Sequence, residues 1–513
     1  MEETEAAVRP DVGGGVDTAR RVARNSLSPL LAQLLTKGID TLYGLIVIRL
    51  LGDRLNGNYA LAVGIWLYAS TVSNWGLDVL LIRDVARDHT QANRYFSHTL
   101  LLRLGLALLL LPLLALLLLP NPGLLLGKDL QDSGETVLTI FLLALSLLPA
   151  AVAAAATSVF QAFERMQVPA VVTVATAVVK FGLGIGALGL VWLSTGQRHQ
   201  PLMLIVLAAV PLLVNSFTAT VLYRLMRRSL LKPRLEWDRR FAFGLLVVAL
   251  PLLLNSLLVN LFFKFDVFIL RANYPAEVLG KYDAAYKFIN FFPLITANLT
   301  FAVFPIFSRR ANDAAALGRA YAKTLKLLLL IAMPTVAGTL FLASTVVWLM
   351  AGPAFLPEGG QALQILILFL PLSFFSGLSQ YVLIALGQQR RITQAFVLVT
   401  VFNIGANLLL IPAFSLYAAS WVTVASEVVL SVPIYLLLRR ALGAAMPNVL
   451  ALTLRPTLAA VVVGAVVWLT LSLGLPGLVA AAAGGLVYIP LLFVLRTFSP
   501  DELDLLRRAL HRK

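Results

Sequence analysis

The sequence predicts an all-α polytopic membrane protein of about fourteen transmembrane helices, and three observations carry that reading. Of its 513 residues, 59% are hydrophobic and only 13% are charged, against ~25% charged in soluble domains. Apolar runs recur along the whole chain, each near the ~20 residues that a helix needs to cross a bilayer. Between those runs, Lys and Arg are alternately abundant and scarce, the asymmetry that separates inner from outer loops. Helices follow rather than a barrel, because period-2 alternation is absent and only helices or closed barrels satisfy their backbone in lipid.

Residues 1–24 are polar, contain Gly13-Gly14-Gly15 and end in Arg20, Arg21 and Arg24. Without an apolar core or a small-residue cleavage site they are expected to be a cytoplasmic tail, not a signal peptide. Six spans follow, at about 25–51, 57–82, 98–119, 135–160, 167–194 and 201–223. The connection 224–240 (RLMRRSLLKPRLEWDRR) is the most basic in the chain and reads as a cytoplasmic linker. Six more spans are expected at about 241–270, 279–307, 322–350, 360–386, 392–411 and 415–438, then two extra helices at 453–473 and 475–496. Ser499–Lys513, within the tail 497–513, reads as an amphipathic inner-surface helix opened by Ser499-Pro500-Asp501-Glu502. Placing the N-terminus inside puts 31 of the 41 Lys and Arg on inner segments and 6 on outer ones, with Lys37, Lys180, Lys264 and Lys287 inside spans. That bias supports cytoplasmic N- and C-termini in a multi-pass cell membrane protein, and it accounts for the net charge of +16 without nucleic acid.

The chain repeats itself. Arg49 is followed by Gly57-Asn58-Tyr59-Ala60-Leu61-Ala62, and Arg271 by Gly280-Lys281-Tyr282-Asp283-Ala284-Ala285. Lys37/Asp40 and Lys264/Asp266 precede them, and the basic turns Arg83–Arg87 and Arg309–Asp313 come after. Gln161–Lys180 is echoed by Gln388–Asn403. An offset of six spans preserves orientation, so the repeat is parallel, about an axis along the membrane normal. Two pseudo-symmetric six-helix lobes, 25–223 and 241–440, are therefore expected around a central cavity, with the helices of 453–496 added outside. One chain holds both lobes, so a monomer suffices. The prolines inside spans read as ordinary kinks, or, for Pro251 and Pro293, as bend points of a moving lobe.

Several functions are excluded. With no Cys there is no disulfide and no thiolate metal or redox chemistry. His89, His98, His199 and His511 fall in or near loops and tails, against a buried His-based metal site. No Walker A motif is present for ATP. A polytopic polymerase or ligase would be expected to carry a sizeable outer loop, and the longest here, Pro120–Gly134, holds only Lys128, Asp129 and Asp132 among its charged residues up to position 132.

Charges placed in the membrane are costly, at about 2.5–3.5 kcal/mol each on insertion scales, and so mark cavities or partners. Lys180 stands near the middle of its span, too deep to snorkel, and faces a cavity or a buried partner. Lys37 and Asp40 are i,i+3 on one face, either pairing with each other or presented to a cavity. Lys264 and Asp266 are i,i+2 and point different ways. Lys287 and Asp283 lie in the following span. Arg49 and Arg271 are placed at the outer interface, where snorkelling is the default reading. Asp78 reads as neutralising the turn at Arg83. Glu427 is either a protonated structural carboxyl or a coupling-ion site. Mid-depth lysines from both halves suit an anion, and they argue against a multidrug/cation antiporter, which needs carboxylates facing an apolar cavity.

These stretches resemble the polysaccharide-exporter branch of the MOP (multidrug/oligosaccharidyl-lipid/polysaccharide) superfamily, the Wzx-type flippases. The resemblance rests on Val47–Gly52 through Gly57–Ala60, on Gly76–Ala86, on Phe160–Met166, on Phe265-Asp266, on Gly280–Lys287 and on Phe304-Pro305. It implies two lobes around a cavity that opens alternately inward and outward. It implies a polyprenyl-diphosphate oligosaccharide as cargo, no cofactor beyond possible Na+ or H+ coupling, and association with polysaccharide assembly proteins. Substrate-binding candidates are Lys37, Lys180, Lys264, Lys287, Arg49 and Arg271; coupling candidates are Asp40, Asp266, Asp283 and Glu427. Many members have twelve spans, whereas lipid II flippases of the same superfamily have two further helices, so a lipid II-type cargo is the alternative reading.

Overall fold

The computed structural model describes residues 13–121, 123–127, 132–196, 200–495 and 497, with side chains from residue 31 onward except those of residues 124, 125 and 301. The expected amphipathic helix at Ser499–Lys513 and the first twelve residues lie outside them. No strand occurs among the described residues. In chain order the α-helices are α1 (Gly13–Asn74), α2 (Leu77–Arg87), α3 (Ala92–Leu118), α4 (Gly123–Leu126), α5 (Ser133–Leu145), α6 (Leu147–Ala162), α7 (Gln167–Thr195), α8 (Leu202–Ser229), α9 (Arg239–Asn273), α10 (Ala276–Ile289), α11 (Pro293–Arg309), α12 (Ala314–Met350), α13 (Glu358–Leu366), α14 (Phe369–Ala385), α15 (Gln389–Leu442), α16 (Val449–Ser472) and α17 (Gly477–Val494).

Ten helical stretches are long and apolar enough to cross a membrane, or eleven with the bent pair α10–α11. The longest two hide further crossings. α1 is interrupted at Gly52 (φ 73°) and α15 at Ser415 (φ 57°), at the junctions expected between the first and second spans and between the eleventh and twelfth. Counting each half brings the total to about fourteen. Both halves of α1 fall short of the hydropathy of the others because they carry Lys37, Asp40, Asn56 and Asn58. α1 already begins at Gly13, within the expected tail of residues 1–24; Val16–Arg24 contains no Pro or Gly to stop it.

Four expected spans are broken. The second stops at Trp75 and Gly76, both left-handed (φ 51° and 74°), before α2 resumes. The fourth breaks at Ser146, the eighth at Asn290–Phe292 before Pro293 opens α11, and the tenth at Ile367–Leu368. Pro293 therefore marks a break, while Pro251 sits inside the unbroken α9. Helix starts at the loops are capped by side chains: Asp238 caps α9, Asp313 caps α12 and Asn448 caps α16.

One apolar cluster runs from Leu61 and Ile140 in the first half of the chain to Leu279, Leu325 and Leu438 in the second. The halves meet most closely where α1 crosses α10. A Cβ built on Gly57 would overlap the Ala276 carbonyl, 2.7 Å from its carbon, and would lie 3.0 Å from Gly280 N. A Cβ on Gly280 would overlap the Asp53 carbonyl, again 2.7 Å from carbon, and would lie 3.1 Å from Gly57 N. These glycines occupy equivalent places in the sequence repeat, so the contact is reciprocal, as at a two-fold axis. Small residues at such crossings let membrane helices approach closely. α16 packs on α12 and α17 on α16, with the Tyr488 hydroxyl donating to Leu330 O at 2.6 Å.

Candidate functional site

The mid-membrane charges gather in three places. In the first half, Lys180 of α7 reaches across to Asp40 of α1, and the two form an ion pair with side chains 29% and 34% exposed. Lys180 Nζ also stands 5.3 Å from the Tyr43 ring centre. Asp40 thus takes its partner from another helix and, of the two readings, is presented to a cavity and not paired with Lys37, which is exposed. The pair lies on a cavity of about 360 Å³ bounded by α1, α5, α7 and α8, with Tyr43, Tyr59 and Trp66 on its walls.

The second cluster lies at the α1–α10 crossing. Lys287 pairs with Asp283 at 3.0 Å and donates to Asn56 Oδ1 at 3.0 Å. Asn56 Nδ2 donates to Gly280 O and to Asp283 Oδ2, both at 3.3 Å. Asn56, fully buried, therefore ties the first half to the second. Nearby, Lys264 of α9 stands over the Tyr286 ring at 4.8 Å; it makes no direct ion pair among the described residues and acts on Asp266 and Asp283 only at longer range. Asp266 points elsewhere, as the i,i+2 spacing requires, and accepts from the Tyr282 hydroxyl. Tyr282 also lies 3.5 Å from Thr423 Oγ1. Burying Asp266 at 5% exposure without these donors would be costly.

The third place is Glu427 of α15, 2% exposed, which accepts from the Ser376 hydroxyl. Among the described residues no group of three or more His, Asp or Glu could hold a metal ion.

The two arginines diverge. Arg49 is exposed and donates to Trp348 O at 3.2 Å. Arg271, expected to snorkel, is instead buried at 1% exposure and donates to Tyr274 O at 3.4 Å. It lies under residues 126–127, whose Gly127 leaves no room for a Cβ against Arg271 O. Arg83 is held by Asp84, at 2.7 and 3.0 Å, and not by Asp78; the adjacent carboxylate matches the guanidinium fork directly.

Sequence reasoning missed Asn56, Tyr282, Ser376 and the aromatic walls. It also missed Arg54, which bridges Asp132 at 2.9 Å and Glu277 at 3.0 Å and so straps the α1–α10 crossing, beside Lys281–Glu358 at 3.1 Å. The signal available was Asn56-Gly57-Asn58, a polar triplet in an apolar helix.

A family model described as "Polysaccharide biosynthesis protein" matches residues 22–311, and the MatE model matches residues 251–409. No curated protein matches the chain. Among solved structures, the lipid II flippase MurJ in an inward closed conformation is 14% identical, with a TM-score of 0.73 over 91% of this chain and 99% of that one. An inward-facing multidrug resistance MATE family transporter of the MOP superfamily is 17% identical, with a TM-score of 0.64 over 80% of this chain and 95% of that one. A MOP superfamily transporter from Pyrococcus furiosus Vc1 is 16% identical, with a TM-score of 0.53 over 83% and 96%. At these identities the likeness is one of fold.

Proposed function

This chain belongs to the polysaccharide biosynthesis protein family of the MOP superfamily, and on that premise we propose that it is a flippase, moving a polyprenyl-diphosphate oligosaccharide from the inner to the outer leaflet by alternating access. The observation that carries this reading is Lys264. It is a cation within a membrane helix, beside the crossing of the two halves, with an aromatic ring and no ion-pair partner among the described residues. An ammonium that Asp266 and Asp283 reach only through the longer-range field, with no direct ion pair, suits a ligand that brings negative charge. Lys287 adds a second cation, shared with Asp283 and Asn56.

A diphosphate and its sugars cannot shed their hydration in hydrocarbon unaided. Polar groups at the junction of the lobes replace that hydration while the polyprenyl tail stays in lipid. Outward movement of negative charge along an inside-negative potential releases ~2.3 kcal/mol per charge per 100 mV. Asp266 and Glu427, buried and hydrogen-bonded, are the groups we assign to proton or sodium coupling, with Asp40 and Asp283 spoken for by lysines.

The test is reconstitution in liposomes with a labelled polyprenyl-diphosphate oligosaccharide, reading the exposure of inner-leaflet label to an external enzyme. Wild type flips it, Lys264→Ala does not, and Lys264→Arg keeps part of the rate. Equal rates in wild type and protein-free vesicles overturn the proposal. A second reading, a lipid II-type cargo, is favoured by α16 and α17 and by the match to MurJ over 91% of the chain; the same vesicles loaded with lipid II decide between them.

A further inference from the structure

The cavity between α1, α5, α7 and α8 has a composition that the transport reading alone does not explain. Three aromatic residues, Tyr43, Tyr59 and Trp66, line a space of about 360 Å³, near the lower end of the ~300–1,000 Å³ of small-molecule sites. Its cation is already spent, because Lys180 is paired with Asp40. A diphosphate would have to displace a carboxylate to reach that lysine, and a cationic drug would have to displace a lysine to reach the carboxylate. The pair therefore offers hydrogen bonds of both senses with no net charge.

Water filling this space would satisfy the ion pair but gains nothing from three rings. A neutral, hydroxyl-rich molecule with one apolar face uses the rings and the ion pair together. The wall is also built to hold its shape. A Cβ on Gly184 would lie 2.8 Å from Tyr43 Cζ, so only glycine leaves Tyr43 room to stand against α7.

We propose that this cavity is a sugar subsite, which holds one sugar ring of the lipid-linked cargo while the diphosphate is held elsewhere. The proposal rests on the flippase reading and names the chemistry by which that flippase tells a glycosylated lipid from a bare one.

The experiment uses the full chain in nanodiscs with undecaprenyl diphosphate, bare or carrying one hexose, one deoxyhexose or one N-acetylhexosamine. Wild type should bind at least one sugar-bearing lipid about tenfold more tightly than the bare lipid, a difference of ~1.4 kcal/mol. Trp66→Ala and Tyr59→Ala should reduce that ratio to near one and leave bare-lipid affinity unchanged. Gly184→Ala, which pushes Tyr43 into the cavity, should do the same without removing any wall group. Tyr59→Phe, which keeps the ring, should retain most of the ratio and guards against a folding defect. A wild-type ratio near one for all three sugars overturns the subsite while leaving the flippase reading intact. So does a loss of affinity that is equal for bare and glycosylated lipid. Failure of wild type to bind any of the four lipids sinks the flippase reading and the subsite with it.

Discussion

Replacing either glycine of the α1–α10 crossing should drive the two halves apart at that end. In Gly57→Ala the new Cβ would start 2.7 Å from the Ala276 carbonyl carbon and overlap its oxygen. Ordinary contact begins near 3.4 Å, so the helices must part by at least the difference, 0.7 Å, and by more to clear the oxygen. The neighbouring atoms are backbone, which cannot swing away as a side chain would. Overpacking of this kind costs ~1–3 kcal/mol. If the crossing closes one side of the transport path, the closed state loses that amount relative to the open one, a shift of roughly 5- to 150-fold in their ratio. The chain has no Cys, so one cysteine placed at Lys281, next to the crossing, is its only thiol. In right-side-out vesicles an impermeant maleimide should label it several-fold faster in Gly57→Ala than in the parent. Gly280→Ala should match it, because the contact is reciprocal. Unchanged labelling in both, or a large effect in one alone, would refute the reasoning.

Other expectations follow from single contacts. Removing Lys180 leaves Asp40 without its partner; the pair is one-third exposed, so a double-mutant cycle of Lys180→Ala and Asp40→Asn on thermal stability should show about 1 kcal/mol of coupling. No coupling would mean the pair is not maintained. Arg54→Ala strands Asp132 and Glu277 and should accelerate labelling at Lys281 as the glycine variants do, though less. Asp266→Asn keeps an acceptor for Tyr282 but loses the ionisable group, so gradient-driven transport should vanish while downhill exchange persists; retained response to both proton and sodium gradients would remove Asp266 from coupling. Asp84, outside the spans, is held below the usual carboxylate range first by the hydrogen bonds from Arg83, with Tyr95 adding to them. Its folded value lies below the ordinary 3.8, so its stabilisation is present above that pH and lost as pH falls through the lower value. The melting-temperature gap between wild type and Asp84→Asn should therefore shrink in acid, and a gap that widened would contradict the assignment.

The architecture was legible because lipid imposes it: runs near twenty residues, basic turns between them, and two copies of Gly-X-Tyr after an Arg. The breaks at Gly52 and Ser415 fall at the expected junctions between spans. The interior was less legible because its partners are remote. Lys180 could be flagged as too deep to stand alone, but nothing local names Asp40, 140 residues earlier. Asp266 depends on Tyr282, and a tyrosine in an apolar helix gives no sign of what its hydroxyl meets. Arg271 was misplaced because hydropathy measures depth along a helix and not how tightly neighbouring elements pack on it. The break at Trp75-Gly76 escaped notice since glycine is common in membrane helices and Trp in a left-handed conformation has no sequence signature.

The basic linker has a mechanical consequence. It is not a slack tether, because its end is fastened to α3. Asn93 accepts from Arg234 N at 2.8 Å and donates to Arg234 O at 3.0 Å, Ser97 donates to the same oxygen at 2.6 Å, and Arg94 pairs with Asp238 at 3.2 Å. The Asp238 N–H donates to His98 Nε2 at 2.7 Å, which leaves Nδ1 to bear the proton bonded to Arg94 O at 2.7 Å. Asp238 is also the cap of α9, donated to by Arg240 N and Phe241 N. The residue that ends the fastening begins the second half, so any movement of one half against the other would have to bend the chain at Asp238, with the end of the linker held to α3.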